Sequence, residues 1–109
     1  MKLLIFSQYG WPEVFGINAL AQSLAQRGVD VTVLTGQPNY PEGRTFPGYR
    51  AWRLSAEKRG AVRILRVPLS PRGKGAARLA LNYLSFILSA SLLGPWALRG
   101  RSFDAVLVY

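Results

Sequence analysis

The residues best suited to chemistry lie in one loop near the N-terminus, between Ser7 and Gly16. Glu13 is the only acidic residue of that loop, so it could orient a hydroxyl group or accept a proton. A surface carboxylate with no such role is the alternative. Tyr9 and Trp11 could stack on the ring of a ligand, or could simply cover the edge of a sheet.

The end of this loop is a candidate phosphate site. An apolar stripe of helical spacing starts at Ile17, and Asn18 is the expected N-cap residue. The N-terminus of a helix that follows a strand offers free backbone N–H groups and the positive end of the helix dipole. Gly16 has no side chain, so a phosphate could approach closely. No G-x-G-x-x-G pattern is present, and a tight turn without a ligand is the alternative.

A second candidate loop carries Asn39 and Tyr40, within the segment PNYPEG at 38–43. It follows the second predicted strand, so it should lie at the same sheet edge as the first loop. Proline-rich loops of this kind often carry binding groups, and a purely structural loop is the alternative.

The composition excludes several classes of chemistry. The 109 residues include no histidine and no cysteine, which excludes a Ser-His triad, a Cys-His pair and a His/Cys zinc site within this sequence. Any catalysis within this sequence must use carboxylates, backbone amides or basic side chains, and no cofactor is expected. Half of the residues are hydrophobic, which favours one small folded domain over a disordered chain.

The positive charge is concentrated in the middle of the chain. The net charge is +9, and the segment 41–80 holds ten of the fourteen Lys and Arg residues. Five of them lead into an apolar helix: Arg63, Arg66, Arg72, Lys74 and Arg78. Such a pattern suits the surface of an anionic membrane, whereas a core helix after a solvated basic loop is the alternative. We expect no nucleic-acid partner because no base-reading module is recognisable.

The elements that must position these residues alternate between strand and helix. Short apolar runs predict strands, and two stretches of helical periodicity predict helices. The strands are expected at Leu3–Phe6, Val31–Thr35, Ala61–Pro68 and Ala105–Val108. One helix is expected along the apolar stripe from Ile17 to Ala25, with Gly28 just after its end, and the other from Ala76 to about Leu93, where Gly94-Pro95 should end it. That pattern indicates a parallel α/β sheet. A membrane-spanning helix is not expected, because only sixteen residues, Tyr83–Leu98, form the apolar run.

Four motifs, in this order, resemble a known family. They are SQYGWPE at 7–13, VLTGQPNYPEG at 33–43, RVP at 66–68 and LNYLSF at 81–86. Together they resemble the start of bacterial GT-B glycosyltransferases with a subfamily 4-like N-terminal domain. The similarity is particularly to enzymes of O-antigen, capsule and colanic-acid synthesis.

The resemblance implies a fold and an activity. The fold would be a Rossmann-like parallel sheet with flanking helices, with residues 1–109 forming part of the N-terminal acceptor domain and the C-terminal donor domain absent. The whole enzyme would be a retaining glycosyltransferase of the hexosyltransferase type, active in polysaccharide or lipopolysaccharide synthesis. It would move a sugar from a nucleotide-sugar donor to a glycan on a polyprenyl diphosphate, without a metal. Residues 1–109 alone are expected to be inactive.

The resemblance also assigns roles to the candidate residues. Gly16, Ile17 and Asn18 would bind the donor phosphate through backbone amides, although many relatives have two glycines where this chain has Phe15-Gly16-Ile17. The residues expected to bind the acceptor are Tyr9, Trp11, Glu13, Asn39 and Tyr40. Without a signal peptide, the chain is expected in the cytoplasm, peripheral on the inner face of the cell membrane. A non-catalytic membrane-binding module is the alternative function.

Overall fold

The computed structural model describes residues 1–13, 15–39, 44–71 and 73–109. Within them a five-stranded sheet is flanked by two helices. The elements in chain order are β1 (Lys2–Phe6), α1 (Gly16–Gln26), β2 (Asp30–Gly36), β3 (Ser55–Arg59), β4 (Val62–Val67), α2 (Ala76–Ala97) and β5 (Ala105–Val108). This is an α/β fold consistent with part of a Rossmann-like domain, as the sequence predicts.

The strand order is β3-β4-β2-β1-β5. Four strands are parallel, with Leu3 opposite Val31 in β2 and Ala105 in β5. Only β3 is antiparallel, to β4. The chain runs from β1 outward to β4 and then crosses back to β5 on the other side of β1. The order of the strands therefore reverses at β1 and β5, which is the topological switch point of a doubly wound sheet.

Each face of the sheet packs against one helix. On the first face, Ile17 and Ala21 of α1 pack with a cluster that includes Leu3, Ile5 and Val33. On the second face, Phe86 and Ala90 of α2 pack with Leu4, Leu34, Leu65, Val67 and Leu69. Because neighbouring residues of a strand point to opposite faces, the continuous apolar runs supply both cores.

The start of α1 differs from the prediction. The helix begins at Gly16 and its N-cap residue is Phe15, not Asn18. The Asn18 side-chain amide instead donates to the backbone oxygen of Glu13 at a distance of 2.5 Å. Asn18 therefore braces the preceding loop from within the first turn. The predicted end of the helix is confirmed, because Gly28 lies just beyond it with φ at 90°, a conformation that favours glycine.

The strand β3 is absent from the sequence-based prediction. Its sequence, SAEKR, carries three charges and no large apolar residue, so no apolar alternation marks it. It forms because it pairs with β4 at the sheet edge, with Ser55 opposite Arg66 and Arg59 opposite Val62. A charged edge strand is typical of natural sheets because it resists pairing with other chains.

The helix α2 is longer than predicted and does not end at Gly94-Pro95. Gly94 is buried, and a methyl group added to it would lie 3.1 Å from Leu34. The close approach of α2 to β2 therefore favours a glycine there, inside the helix. Tertiary packing carries the helix through Pro95 to Ala97.

The orientation of α2 is opposite to that of most surface helices. The polar residues Asn82 and Ser85 face the protein and are buried. The exposed side carries large apolar residues: Leu81, Leu84, Ile87, Leu88, Leu92 and Trp96. We call the residues Leu81, Leu84, Leu88 and Leu92 the outer stripe; their spacing places them on one side of the helix.

Candidate functional site

The candidate donor site lies at the switch point. The loop after β1 leads into α1, so the N-terminal amides of α1 stand at the carboxyl end of the sheet. Tyr109 follows β5 and donates its backbone N–H to the Phe6 oxygen at 2.9 Å. Among the described residues outside its own helix, a methyl group on Gly16 would have one neighbour within 4 Å, the Tyr109 hydroxyl at 3.9 Å. Space for a ligand therefore exists beside Gly16, at the crevice where open α/β sheets bind ligands.

The cap of α1 leaves backbone donors for a ligand. Among the described residues no side chain caps this helix, while the Asn18 N–H donates to the Phe15 oxygen at 3.1 Å. Ile17 is buried under the sheet, and Gly16 is exposed. Of the three predicted phosphate-binding residues, Gly16 is thus the exposed one, and Asn18 already uses its own N–H.

Glu13 is a buried link between the two candidate loops, not a surface carboxylate. Its side chain is fully buried. Its Oε1 accepts the Gly10 N–H at 3.2 Å and its Oε2 accepts the Asn39 N–H at 2.9 Å. The carboxylate therefore holds the loop after β1 against the loop after β2. Asn39 is buried as well, and its side-chain amide donates to the backbone oxygen of Gln37 at 3.1 Å.

Tyr9 and Trp11, the two candidate aromatic residues of the first loop, point in different directions. The Tyr9 ring stacks on Phe15 at 5.2 Å, and its hydroxyl donates to Asn82 Oδ1 at 3.0 Å. Trp11 is 38 % exposed, with the Arg59 guanidinium 3.7 Å above its ring. Trp11 can therefore still offer ring surface to a ligand, whereas Tyr9 serves to connect the loop to α2.

Asn82 is a site residue that the sequence-based prediction missed. Its Oδ1 also accepts the Gln8 side-chain amide at 2.6 Å, and its Nδ2 donates to the Ser70 oxygen at 2.7 Å. Ser85, one turn along, donates to the Asn82 backbone oxygen and accepts the Ser70 N–H at 2.7 Å. The signal was available, because Asn82 and Ser85 belong to the narrow polar stripe of an otherwise apolar helix.

Arg66 is not part of a basic surface, which corrects the prediction for this residue. It is fully buried on the α1 side of the sheet. Its guanidinium pairs with Glu57 at 2.6 Å and donates to the backbone oxygens of Gly36, at 3.2 Å, and Trp11. All three partners are groups of the protein itself. Arg66 therefore connects the first loop to the end of β2 and is not directed to a membrane.

The other basic residues do not form one patch. Arg63 lies at the opposite end of β4 and pairs with Asp30 at 3.4 Å, on the surface. Lys74 and Arg78 are exposed around the start of α2. Two predicted residues, Tyr40 of the acceptor set and Arg72 of the basic set, lie outside the described residues. Of the predicted basic residues that the structure describes, Lys74 and Arg78 are the two that lie beside α2.

A tyrosine beside the Arg66–Glu57 pair has a perturbed acidity. The Tyr49 hydroxyl lies 3.2 Å from Glu57 Oε2, and Arg66 lies 5.0 Å from its ring. Burial is the main cause that raises the pKa of Tyr49 above its ordinary value; Arg66 opposes the rise and Glu57 adds to it. The phenol therefore stays protonated and can donate to the carboxylate.

Two features of the described residues bear on metal binding and on membranes. Those residues contain no cluster of three or more Asp and Glu side chains that could hold a metal ion. By length and composition alone, α2 is long and apolar enough to cross a membrane, with only 22 % of its most apolar stretch buried in the protein. Core helices of soluble proteins can pass the same test.

The fold and the candidate site together define a class: the chain is part of an α/β domain, with a crevice at the switch point where open α/β sheets bind ligands. The chain is 33 % identical over 95 residues to a protein of Escherichia coli (strain K12), "Putative colanic acid biosynthesis glycosyl transferase WcaI". The match covers 83 % of this chain and 23 % of that protein, so the chain spans about a quarter of its relative. No family model and no solved structure matches the chain. The similarity supports a relationship to a glycosyltransferase.

Proposed function

We propose that this chain is the acceptor-side part of a GT-B glycosyltransferase that acts in the synthesis of a cell-surface polysaccharide. The observation that carries the proposal is the open space beside Gly16 at the switch point, in a chain similar to a glycosyltransferase over most of its length. Transfer would proceed from a nucleotide sugar with retention of configuration, which requires the donor domain that the resemblance implies.

The chemistry at this site would be electrostatic. The exposed amide of Gly16 and the positive end of α1 would stabilise negative charge on the departing diphosphate. Trp11 offers an aromatic ring to an acceptor sugar. Glu13 would act as a positioning residue, because its carboxylate is occupied by the Gly10 and Asn39 amides.

We further propose that the chain is cytoplasmic and lies on the inner face of the cell membrane, with a polyprenyl-diphosphate-linked glycan as acceptor. The outer stripe of α2 leaves four leucines between 46 % and 75 % exposed. Arg78 and Lys74 stand at one end of that stripe, where lipid phosphates would lie. A basic segment next to an exposed apolar face supports binding to an anionic bilayer.

Transfer is tested in a chimera that replaces the matched segment of the Escherichia coli relative with this chain. Radiolabelled sugar transfer to lipid-linked acceptor is measured in membranes of cells that lack the relative. We expect transfer from the chimera and its loss in Gly16→Val, because the added side chain fills the space of the phosphate. Ala19→Val, on the exposed side of the same helix, is the control. Equal transfer by both variants would contradict the role of Gly16.

Membrane binding is tested by sedimentation with vesicles that contain about a third anionic lipid. Leu84→Glu and Leu88→Glu should each lower the bound fraction at least about fivefold, because a carboxylate at the bilayer surface is costly. Leu20→Glu, an exposed leucine of α1, is the matched control. Vesicle binding combined with an inactive chimera would favour the alternative, a non-catalytic membrane-binding module.

A further inference from the structure

A second cleft lies on the β3–β4 half of the sheet, away from Gly16. It is open to solvent, holds about 140 Å³, and forms where β2 ends and β3 begins. Its lining comprises Gln37, Tyr49, Arg50, Arg53, Ser55 and Glu57. None of these residues belongs to the predicted donor, acceptor or membrane set, so the cleft is a separate feature of the surface.

A buried side chain in this cleft has an unused hydrogen-bond acceptor. Gln37 is only 1 % exposed, and its Nε2 donates to the Arg53 backbone oxygen at 2.6 Å and to Ser55 Oγ at 3.1 Å. Its Oε1 has no partner among the described residues. The orientation of the amide is fixed, since the Arg53 oxygen can only accept. Buried polar atoms are nearly always paired, so this oxygen indicates a missing donor.

The charges of the cleft favour an anion. Glu57 is neutralised by Arg66, with which it forms an ion pair. Arg50 and Arg53 are exposed and form no ion pair with any described residue. The cleft therefore combines two free guanidinium groups with one unpaired amide oxygen. A ligand that satisfies both needs a negative group and a hydroxyl donor.

We propose that this cleft binds a polyhydroxylated anion, namely a sugar unit that carries a carboxylate or a phosphate. A ring hydroxyl donates to Gln37 Oε1, and the guanidinium groups of Arg50 and Arg53 donate to the anionic group. That the sugar is a unit of the acceptor glycan rests on the proposed function. The binding itself does not, because it follows from the cleft alone.

The proposal is tested by NMR titration of the isotope-labelled chain with four probes: glucuronate, glucose 6-phosphate, methyl glucoside and inorganic phosphate. The readouts are the side-chain amide of Gln37 and the backbone amide of Ser55. We expect saturable shifts with at least one sugar anion, and about tenfold weaker binding of methyl glucoside, which has no anionic group, and of phosphate, which has no sugar ring. Comparing glucuronate with glucose 6-phosphate identifies the anionic group.

Two matched variants separate specific binding from general attraction to a basic chain. Arg53→Gln and Arg44→Gln each remove one positive charge from exposed positions of the same loop, but only Arg53 lines the cleft. Arg53→Gln should weaken binding of the sugar anion about tenfold, and Arg44→Gln less than about twofold.

Three results would overturn the inference: no saturable shift at Gln37, equal losses in the two variants, or inorganic phosphate binding as tightly as the sugar anions. The transferase proposal is judged by the chimera, whose outcome is independent of this titration. A chain that binds the sugar anion while its chimera is inactive would keep the cleft and lose the proposed function.

Discussion

Arg66 should be among the most costly polar residues of the chain to replace. Arg66→Met keeps most of the side-chain length but removes the ion pair to Glu57 and the two donors to the oxygens of Gly36 and Trp11. Each carbonyl left without its donor costs about 1 kcal/mol. Glu57 is 34 % exposed, so water partly replaces the guanidinium and its loss also costs about 1 kcal/mol.

The sum is about 3 kcal/mol, at the lower end of what breaking a buried pair costs. A domain of this size is stable by about 5–15 kcal/mol, so the loss is a large fraction of the total. The matched control is Arg63→Met in the same strand. Its partner is Asp30 at 3.4 Å, and the two side chains are 41 % and 45 % exposed, so that substitution should cost less than about 1 kcal/mol.

The measurement is urea unfolding followed by circular dichroism, for the parent chain and both variants. The midpoint should fall strongly for Arg66→Met and little for Arg63→Met, with similar slopes. Melting should show a drop of about 12 °C for the buried position. If Arg66→Met were as stable as Arg63→Met, the three contacts of the guanidinium would carry no net stability and the reasoning from burial would be refuted.

Two further predictions concern the loops and the pH dependence. Glu13→Gln should speed hydrogen exchange at the Gly10 and Asn39 amides and cost about 1–3 kcal/mol, because one neutral amide oxygen cannot accept from both N–H groups; unchanged exchange at both amides would contradict the bridging role. For Tyr49, a pKa raised on folding gives stability that is present below the unfolded pKa and is lost as pH rises through the folded pKa. As the pH rises from about 9 to about 11, the free energy of unfolding measured with urea should therefore fall less for Tyr49→Phe than for the parent chain. Tyr83→Phe is the control for removing one phenol. Identical pH profiles for the parent and Tyr49→Phe would contradict the prediction.

The parallel strands could be predicted because their burial needs little context. A short run such as Leu3–Phe6 is apolar on both sides, and only a sheet covered on both faces buries it fully. The strand β3 could not be predicted in this way. Its residues are charged, and what makes it a strand is the free edge of β4, which exists only once the sheet has formed.

The sequence predicted where the candidate loops lie in the fold, but not the contacts that their individual residues make. Strand ends and loop order place Gly16, Glu13 and Asn39 at one edge of the sheet. Whether a charged side chain faces solvent depends on partners that are distant in sequence. Arg66 is buried because Glu57 and the oxygen of Trp11 meet it in space, nine and fifty-five positions away.

The structure gives one reason for the unusual orientation of α2. Its polar residues are needed inside, because Asn82 holds Gln8 and Tyr9 of the first candidate loop. A helix whose polar side is used in this way has mainly apolar residues left for its outer side, and between Arg78 and Arg99 the sequence offers no charge. The network that positions the site and the proposed membrane surface are thus two sides of the same 22-residue helix. If the outer stripe lies on a bilayer, the loop held by Asn82 is fixed at one helix diameter from it, about 10 Å.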